Sequence, residues 1–332
     1  MSKASAALQI GPAAAAAAGL AAAPRVAVLA PCYNEEATIA GVIGDFRAAL
    51  PAATIYVFDN NSSDRTAEVA RAAGAVVRPA ALQGKGNVVR LMFADVEADI
   101  YVLVDGDGTY DAAAAPALVE ALLQGGLDMV SAARVSQERE AYRTGHRMGN
   151  LLLTGLVRIS FGRRFQDMLS GYRVFSRRFV KSFPAASGGF EIETELTVHV
   201  LQMRLPAREI ETDYRSRPEG SASKLNTIRD GVRILRMIGL LLRDERPLQF
   251  FGTFAAAAMV VSAGLFVPVL QEYVRSGLVP RFPSLIVAVG LAAVSLLSFA
   301  CGLILDAVAR GRLEQRRFAY LAVPGPGSLS AP

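Results

Sequence analysis

Asp105 and Asp107 stand two residues apart where the apolar run Ile100, Tyr101, Val102, Leu103 and Val104 gives out. A run of this composition reads as a buried parallel strand. The carboxyl ends of such strands are where open α/β sheets bind ligands. Gly106 and Gly108 beside the carboxylates let a ligand approach closely. Two hard oxygen donors in that setting suit a divalent cation that also carries phosphate oxygens. Asp-Gly is equally ordinary turn chemistry, so the pair does not decide the matter alone.

Two further strand candidates end in polar residues. Val26–Ala30 runs into Pro31, Cys32, Tyr33, Asn34, Glu35 and Glu36, and Thr54–Asp59 runs into Asn60, Asn61, Ser62, Ser63, Asp64, Arg65 and Thr66. Each junction alone is explained by helix capping. Three of them on one sheet edge are not. The chain has neither the Gly-x-Gly-x-x-Gly fingerprint nor a Walker lysine motif, so a dinucleotide fold or P-loop is unsupported.

The elements that must position these residues alternate in type. Strands are expected at Val26–Ala30, Thr54–Asp59, Ala75–Arg78, Ile100–Asp105 and Met129–Ala132. Between them lie helix candidates at Ala37–Ala49, Arg65–Ala73, Gly86–Ala94 and Ala113–Leu123. Such alternation implies an α/β fold, with a parallel sheet and helices on both faces. Beyond it we expect helices at Arg147–Phe161 and Glu193–Arg204 and strands at Tyr172–Phe175 and Glu209–Tyr214.

At 332 residues the chain has room for one large domain and an appendage, and 52% of it is hydrophobic. The excess is concentrated late. Phe250–Leu270 and Phe282–Leu305 are uncharged, mostly apolar stretches, each long enough to cross a bilayer core of about 30 Å as a helix. Arg243 and Arg246 precede the pair, and Arg310, Arg312, Arg316 and Arg317 follow it. By the positive-inside rule both outer ends face the cytoplasm. Leu225, Ile228, Val232, Leu235, Ile238 and Leu242 recur at helical spacing, with Arg229, Arg233 and Arg236 on another side. That pattern fits a helix in the membrane interface; a packed amphipathic helix is the simpler alternative. The net charge of +5, gathered near these segments, fits anionic lipid better than nucleic acid. Cys32 and Cys301 are the only cysteines, which excludes a disulfide framework. The Ala-rich residues 1–24 read as a disordered tail.

Taken in order, Pro-x-Tyr-Asn-Glu, Asp-Asn-x-Ser-x-Asp-x-Thr, Gly84-Lys85-Gly86 and Asp-x-Asp resemble the nucleotide-sugar domain of family 2 glycosyltransferases. The later Asp-Met-Leu-Ser-Gly-Tyr-Arg ending at Arg173, and Gly220-Ser-Ala-Ser-Lys-Leu, resemble the polyprenyl-phosphate glycosyltransferase branch, which is dolichyl-phosphate mannose synthase-like. The resemblance implies a GT-A fold, an inverting transfer and a divalent metal, Mg2+ or Mn2+. It places Pro31, Tyr33 and Glu35 at the base and ribose, Asp59 at the base, and Gly84, Lys85 and Gly86 beside the nucleoside. Asp105 and Asp107 match the metal and diphosphate carboxylates, and Arg134 and Arg147 match arginines that hold phosphates. Ser170, Arg173 and Lys224 fall near the acceptor phosphate. Gly108 and Thr109 depart from the Leu-Gln or Leu-Ser that follows the metal motif in many relatives.

The chain organisation that follows is a tail (1–24), a GT-A catalytic domain (25–222), an amphipathic juxtamembrane helix (223–246), two transmembrane helices (247–309) and a cytosolic tail (310–332). The expected enzyme is a multi-pass protein of the cytoplasmic membrane with its catalytic domain in the cytosol. It would move one sugar from a GDP- or UDP-linked donor to a polyprenyl phosphate, with no nucleic-acid partner and with homo-oligomerisation left open. A lipid phosphate is ionised at neutral pH, since its second pKa is about 6, so no general base is required. His146 and His199 sit in no base-like motif. Glu191, Glu193 and Glu195 read most simply as acidic residues at the start of a helix. A processive polysaccharide synthase is disfavoured because those carry Gln-x-x-Arg-Trp and this chain has no tryptophan. A sugar-nucleotide-binding regulator without turnover is disfavoured by the intact Asp105 and Asp107.

Overall fold

The computed structural model describes residues 23–135, 165–215, 236, 239–240 and 243–326. The chain forms two compact units. One comprises residues up to 230 together with those from 319 onward, and the other comprises residues 231–318.

The first unit is built on a seven-stranded sheet. Its strands are β1 (Val26–Cys32), β2 (Thr54–Asp59), β3 (Val76–Pro79), β4 (Ile100–Leu103), β5 (Met129–Val135), β6 (Arg173–Ser176) and β7 (Ala207–Asp213), in the order β3-β2-β1-β4-β6-β5-β7. Its helices are α1 (Ile39–Ala49), α2 (Thr66–Ala72), α3 (Lys85–Asp95), α4 (Ala115–Gln124), α5 (Arg177–Ser182) and α6 (Ile192–Met203). The expected alternation is present. The sheet, however, is mixed: β6 runs antiparallel to both neighbours, β4 and β5, whereas all other pairings are parallel. The expected helix at Arg147–Phe161 lies outside the described residues, as does most of the expected helix at 223–246.

Branched aliphatic residues fill the strands because both sheet faces are covered. On one face, Val28, Val57, Val102, Val130 and Val174 pack with Ile39, Ile43 and Phe46 of α1 and Leu118 and Leu122 of α4. On the other, Phe93, Tyr101, Phe175, Phe179 and Phe183 form a chain of ring contacts that ends on His199. His199 is buried and its Nε2 lies 3.4 Å from Ser182 Oγ. It is packed in the core.

At the far end of the sheet, Asp128 is buried just before β5. It accepts hydrogen bonds from Ser176 Oγ at 2.7 Å, Arg178 Nε at 2.5 Å and Tyr320 Oη at 2.8 Å. The Arg178 guanidinium also lies 4.7 Å from the centre of the Tyr320 ring. Residues 319–326, within the stretch expected as a cytosolic tail (310–332), thus group with the sheet.

The second unit contains α7 (Pro247–Ser276) and most of α8 (Phe282–Leu321), two helices long and apolar enough to cross a membrane. α7 opens on Pro247 and closes on Gly277, whose φ of 69° suits the residue after a helix. The two helices meet along small residues spaced by sevens: Ala255, Ser262 and Val269 on one, and Ala288, Ser295, Gly302 and Ala309 on the other. Ser262 Oγ donates to the Ala288 carbonyl at 2.6 Å, and Ser295 Oγ donates to that of Ala255 at 2.7 Å. Small residues and hydroxyl groups are how apolar helices associate where burial of oil gives no driving force. At 1.5 Å per residue the 40 residues of α8 extend about 60 Å, roughly twice a bilayer core.

Candidate active site

The carboxyl edge of β2, β1 and β4 collects the polar strand ends. Cys32 at the end of β1 pairs with Asp59 at the end of β2, and Leu103 of β4 pairs with Leu29 on the other side of β1. Asp59 and Asp105 therefore flank the same strand end.

Most of the polar residues after β1 and β2 hold the two loops together. Asn34 adopts a φ of 52° and its Oδ1 accepts from Ser63 N at 2.8 Å, while Asn34 N donates to Ser62 Oγ at 2.9 Å. Glu35 N donates to Thr66 Oγ1 at 2.8 Å, and Glu36 Oε2 accepts from Arg65 N at 2.9 Å. Asn60 is buried and reaches the next loop. It donates to the carbonyls of Ala80 and Leu82 and accepts from Gly84 N at 2.7 Å. Each of these bonds satisfies a backbone group that a loop would otherwise leave unpaired. Tyr33 is 38% exposed, so its ring is presented to solvent at this edge.

The loop bonded to Asn60 opens into α3 at Lys85. Gly84 has a φ of 122°, a conformation that residues with a Cβ resist. A Cβ on Gly84 or Gly86 would strike the carbonyl oxygen of Gly188 or Ser187. These glycines thus serve backbone-to-backbone packing. The opposing 185–188 segment is held by Glu195, whose oxygens accept from Ala186 N and Ser187 N at 2.8 Å each, and by Arg90 Nε, which donates to the Ala185 carbonyl at 2.7 Å.

Lys85 Nζ lies 2.5 Å from Asp105 Oδ1 and 2.6 Å from Glu193 Oε1. Burial opposes the lysine's charge, but Asp105 and then Glu193 outweigh it and hold Lys85 above its ordinary range. Burial also pushes the Glu193 carboxyl up, and the attraction of Lys85 does not cancel that push. Asp107 is buried, and its Oδ1 accepts from Thr109 Oγ1 at 2.7 Å and from Thr109 N at 3.2 Å. Thr109, at the position where the sequence departs from its relatives, therefore orients the second carboxylate. A cleft of about 220 Å³ between α1 and the 104–112 segment is lined by Asp105, Tyr110, Thr38 and Asp45. It meets the edge where the strand ends collect at Asp105, while Tyr33, Asp59 and Lys85 do not line it.

Gly171 abuts Asp105 so closely that a Cβ there would collide with the carboxylate. Its N–H donates to Tyr110 Oη at 2.8 Å, which keeps the backbone close to Asp105. Gly171→Ala is expected to displace Asp105 and weaken binding of Mn2+ with a nucleoside diphosphate about tenfold. Titration calorimetry on the detergent-solubilised protein reads this, and an unchanged affinity would separate Asp105 from that ligand.

Arg134, at the end of β5, makes a two-pronged ion pair with Asp167: Nε to Oδ2 at 2.7 Å and Nη2 to Oδ1 at 2.8 Å. Its guanidinium also lies 5.4 Å from the Tyr214 ring centre. Asp167 in turn is fixed through its N–H to Glu209 Oε1 at 2.8 Å. Burial works against the Asp167 carboxylate, yet the hydrogen bonds from Arg134 hold it below its usual range. A lowered folded-state pKa means stability that is present above the unfolded value of about 4 and is lost as pH falls below it. Asp167→Asn is therefore expected to cost about 3 kcal/mol at pH 7. The gap from the unsubstituted protein should shrink below about pH 4, as denaturation at a series of pH values would reveal.

Arg173 and Ser170 differ from their expected roles. Arg173 has no exposed surface. Its Nε donates to the Ser170 carbonyl at 3.0 Å, Nη2 to that of Met168 at 2.7 Å, and Nη1 to Thr197 Oγ1 at 2.9 Å. Ser170 is equally buried, and its Oγ accepts from Tyr172 N at 3.2 Å. These residues shape the turn that delivers Gly171 to Asp105. Arg147 and Lys224 lie outside the described residues.

Sequence reading took Glu193 and Glu195 first as acidic residues at a helix start and gave Asp167 no role of its own. The two glutamates occupy the first turn of α6, where dipole capping explains them, yet both are buried and face other elements. The available signal was the packing of Glu193 and Glu195 among Ile192, Leu196 and Val198, a register that buries them.

A GT-A architecture with a buried acidic site at the strand ends is the class this arrangement defines. The family model described as "Glycosyl transferase family 2" matches residues 27–183. The chain is 36% identical over 251 residues to Glycosyltransferase AglJ of Haloferax volcanii, covering 75% of this chain and 82% of that protein. It is 27% identical over 221 residues to Dolichyl-phosphate hexose transferase of the same organism, covering 67% and 95% respectively. Among solved structures, it is similar to glucosyl-3-phosphoglycerate synthase from Mycobacterium tuberculosis in complex with Mn2+, UDP-glucose and phosphoglyceric acid. That match has a TM-score of 0.54 and 26% identity, and covers 68% of this chain and 82% of that one. The chain belongs to glycosyltransferase family 2 and is a nucleotide-sugar-dependent transferase.

Proposed function

We propose that this enzyme transfers a single hexose, with inversion, from a nucleotide-sugar to the phosphate of a polyprenyl lipid at the cytosolic face of the membrane. The observation that carries the acceptor assignment is the pair of long apolar helices in the same chain as the transferase domain. The likeness to a dolichyl-phosphate hexose transferase supports it.

Asp105 and Asp107 would hold Mg2+ or Mn2+. No group of three or more histidine, cysteine or acidic residues able to hold a metal occurs among the described residues. Two carboxylates completed by substrate phosphates are the usual way Mg2+ is bound, so the donor set fits. The metal would neutralise charge as it builds on the departing diphosphate. Tyr33, Pro31, Glu35 and Asp59 would take the base and ribose from the exposed edge of β1 and β2. Gly84 and Gly86 would fix the start of α3 beside them. Arg134, oriented by Asp167, would face the phosphates together with Arg147 and Lys224. The acceptor phosphate arrives ionised and needs no dedicated base.

A soluble phosphorylated acceptor is the second reading, favoured by the likeness to the phosphoglycerate-bound synthase. Full-length protein in detergent would be offered UDP- and GDP-hexoses with a polyprenyl phosphate or with 3-phosphoglycerate, and products followed by mass spectrometry. Hexosyl polyprenyl phosphate is the expected product. Turnover on phosphoglycerate alone would overturn the lipid assignment.

A further inference from the structure

Lys85 makes an arrangement that donor recognition does not account for. Its side chain is 7% exposed and joins two carboxylates that belong to different elements, Asp105 after β4 and Glu193 on α6. We propose that Lys85 is the resident cation of the Asp105 carboxylate, and that Glu193 is the residue to which it withdraws when Asp105 takes up the donor's divalent metal. This rests on the metal reading above.

The two cations compete for one oxygen. An ammonium 2.5 Å from Asp105 Oδ1 occupies the space in which that oxygen would meet a metal, since Mg2+ binds oxygen at about 2.0–2.1 Å. Like charges so close also repel strongly in a site shielded from water. Metal loading therefore breaks the Lys85–Asp105 contact. An ammonium set loose in a buried site would be costly. Lys85 avoids that cost because a second carboxylate already holds it at 2.6 Å.

The geometry favours a swing of the side chain over a shift of the loop. Gly84 and Gly86 press against the carbonyls of Gly188 and Ser187, so the backbone at Lys85 is pinned on both sides. The four-carbon stem of lysine is flexible and its ammonium carries three donors. Glu193 is fixed at the other end of the movement, because Thr197 Oγ1 donates to its carbonyl at 3.1 Å and α6 is buried around it. In this scheme Glu193 is a positioning residue. The Lys85–Asp105 contact makes the site accept a metal together with a diphosphate more readily than the metal alone, since the diphosphate adds the attraction for the metal that helps displace Lys85.

Mn2+ binding to the full-length protein, followed by electron paramagnetic resonance with and without UDP or GDP, tests this apart from turnover. Glu193→Gln takes away the retreat and is expected to weaken Mn2+ binding about tenfold without nucleotide. Lys85→Arg is expected to do the same, because a guanidinium fork can grip both carboxylates at once. Lys85→Met combined with Glu193→Gln removes the competitor and is expected to tighten binding about tenfold. Affinities in Glu193→Gln and Lys85→Arg equal to that of the unsubstituted protein would overturn the exchange, as would weaker binding in the double variant. Absence of Mn2+ binding to the unsubstituted protein even with nucleotide would overturn the metal assignment and the exchange with it.

Discussion

Asp107→Ala is expected to lower kcat by about a thousandfold while leaving the fold intact. The size follows from what the carboxylate would supply under the proposed function: one of two protein ligands to a cation that stabilises a departing diphosphate. Asp107 accepts from Thr109, two residues away, so its loss frees a local turn. Thr109→Val, which keeps the shape and removes the orienting hydroxyl, should fall between, at roughly a tenfold loss. Steady-state rates with a saturating donor, beside thermal melts of each variant, measure both. Unchanged product formation in Asp107→Ala would remove the carboxylate pair from the chemistry.

Arg173→Met carries the largest expected effect on stability. The substitution removes the guanidinium and strands the Ser170 and Met168 carbonyls inside the protein. A buried acceptor without a partner costs about 1–3 kcal/mol, so the loss should reach about 4 kcal/mol and lower the melting temperature by roughly 10 °C. At temperatures where the variant is folded, the KM for the lipid acceptor should stay near that of the unsubstituted protein. A selective rise in that KM with no change in melting would return Arg173 to the acceptor phosphate.

The strands β1, β2, β4 and β5 were legible because each is a short apolar run that stops at polar residues, and the order of turns between them fixes a parallel arrangement. The reversal of β6 was not. Arg173–Ser176 is buried on both faces, so its side-chain pattern is the same whichever way the strand runs. The site shows a similar division. Asp105 and Asp107 announced themselves by spacing at a strand end, and their neighbours along the chain followed. Lys85 and Glu193 stand 108 positions apart, and nothing in either local sequence names the other. The burial of Arg173 is hard to read from sequence, because arginine is seldom buried without a carboxylate partner. Here carbonyl oxygens and the Thr197 hydroxyl take that partner's place. The Asn60, Ser62, Asp64 and Thr66 series looked like ligand chemistry because polar residues clustered at a sheet edge, and in the fold they mainly lace two loops to each other.

Tyr320 reaches Asp128 from 192 positions away. A ribosome that extends the chain from its amino end makes the sheet first, then both apolar stretches, and only after them Tyr320. Arg178 and Ser176 can reach the Asp128 carboxylate early, but its third partner appears only after the two apolar stretches. The Asp128 cluster is thus completed only after both apolar stretches have been made.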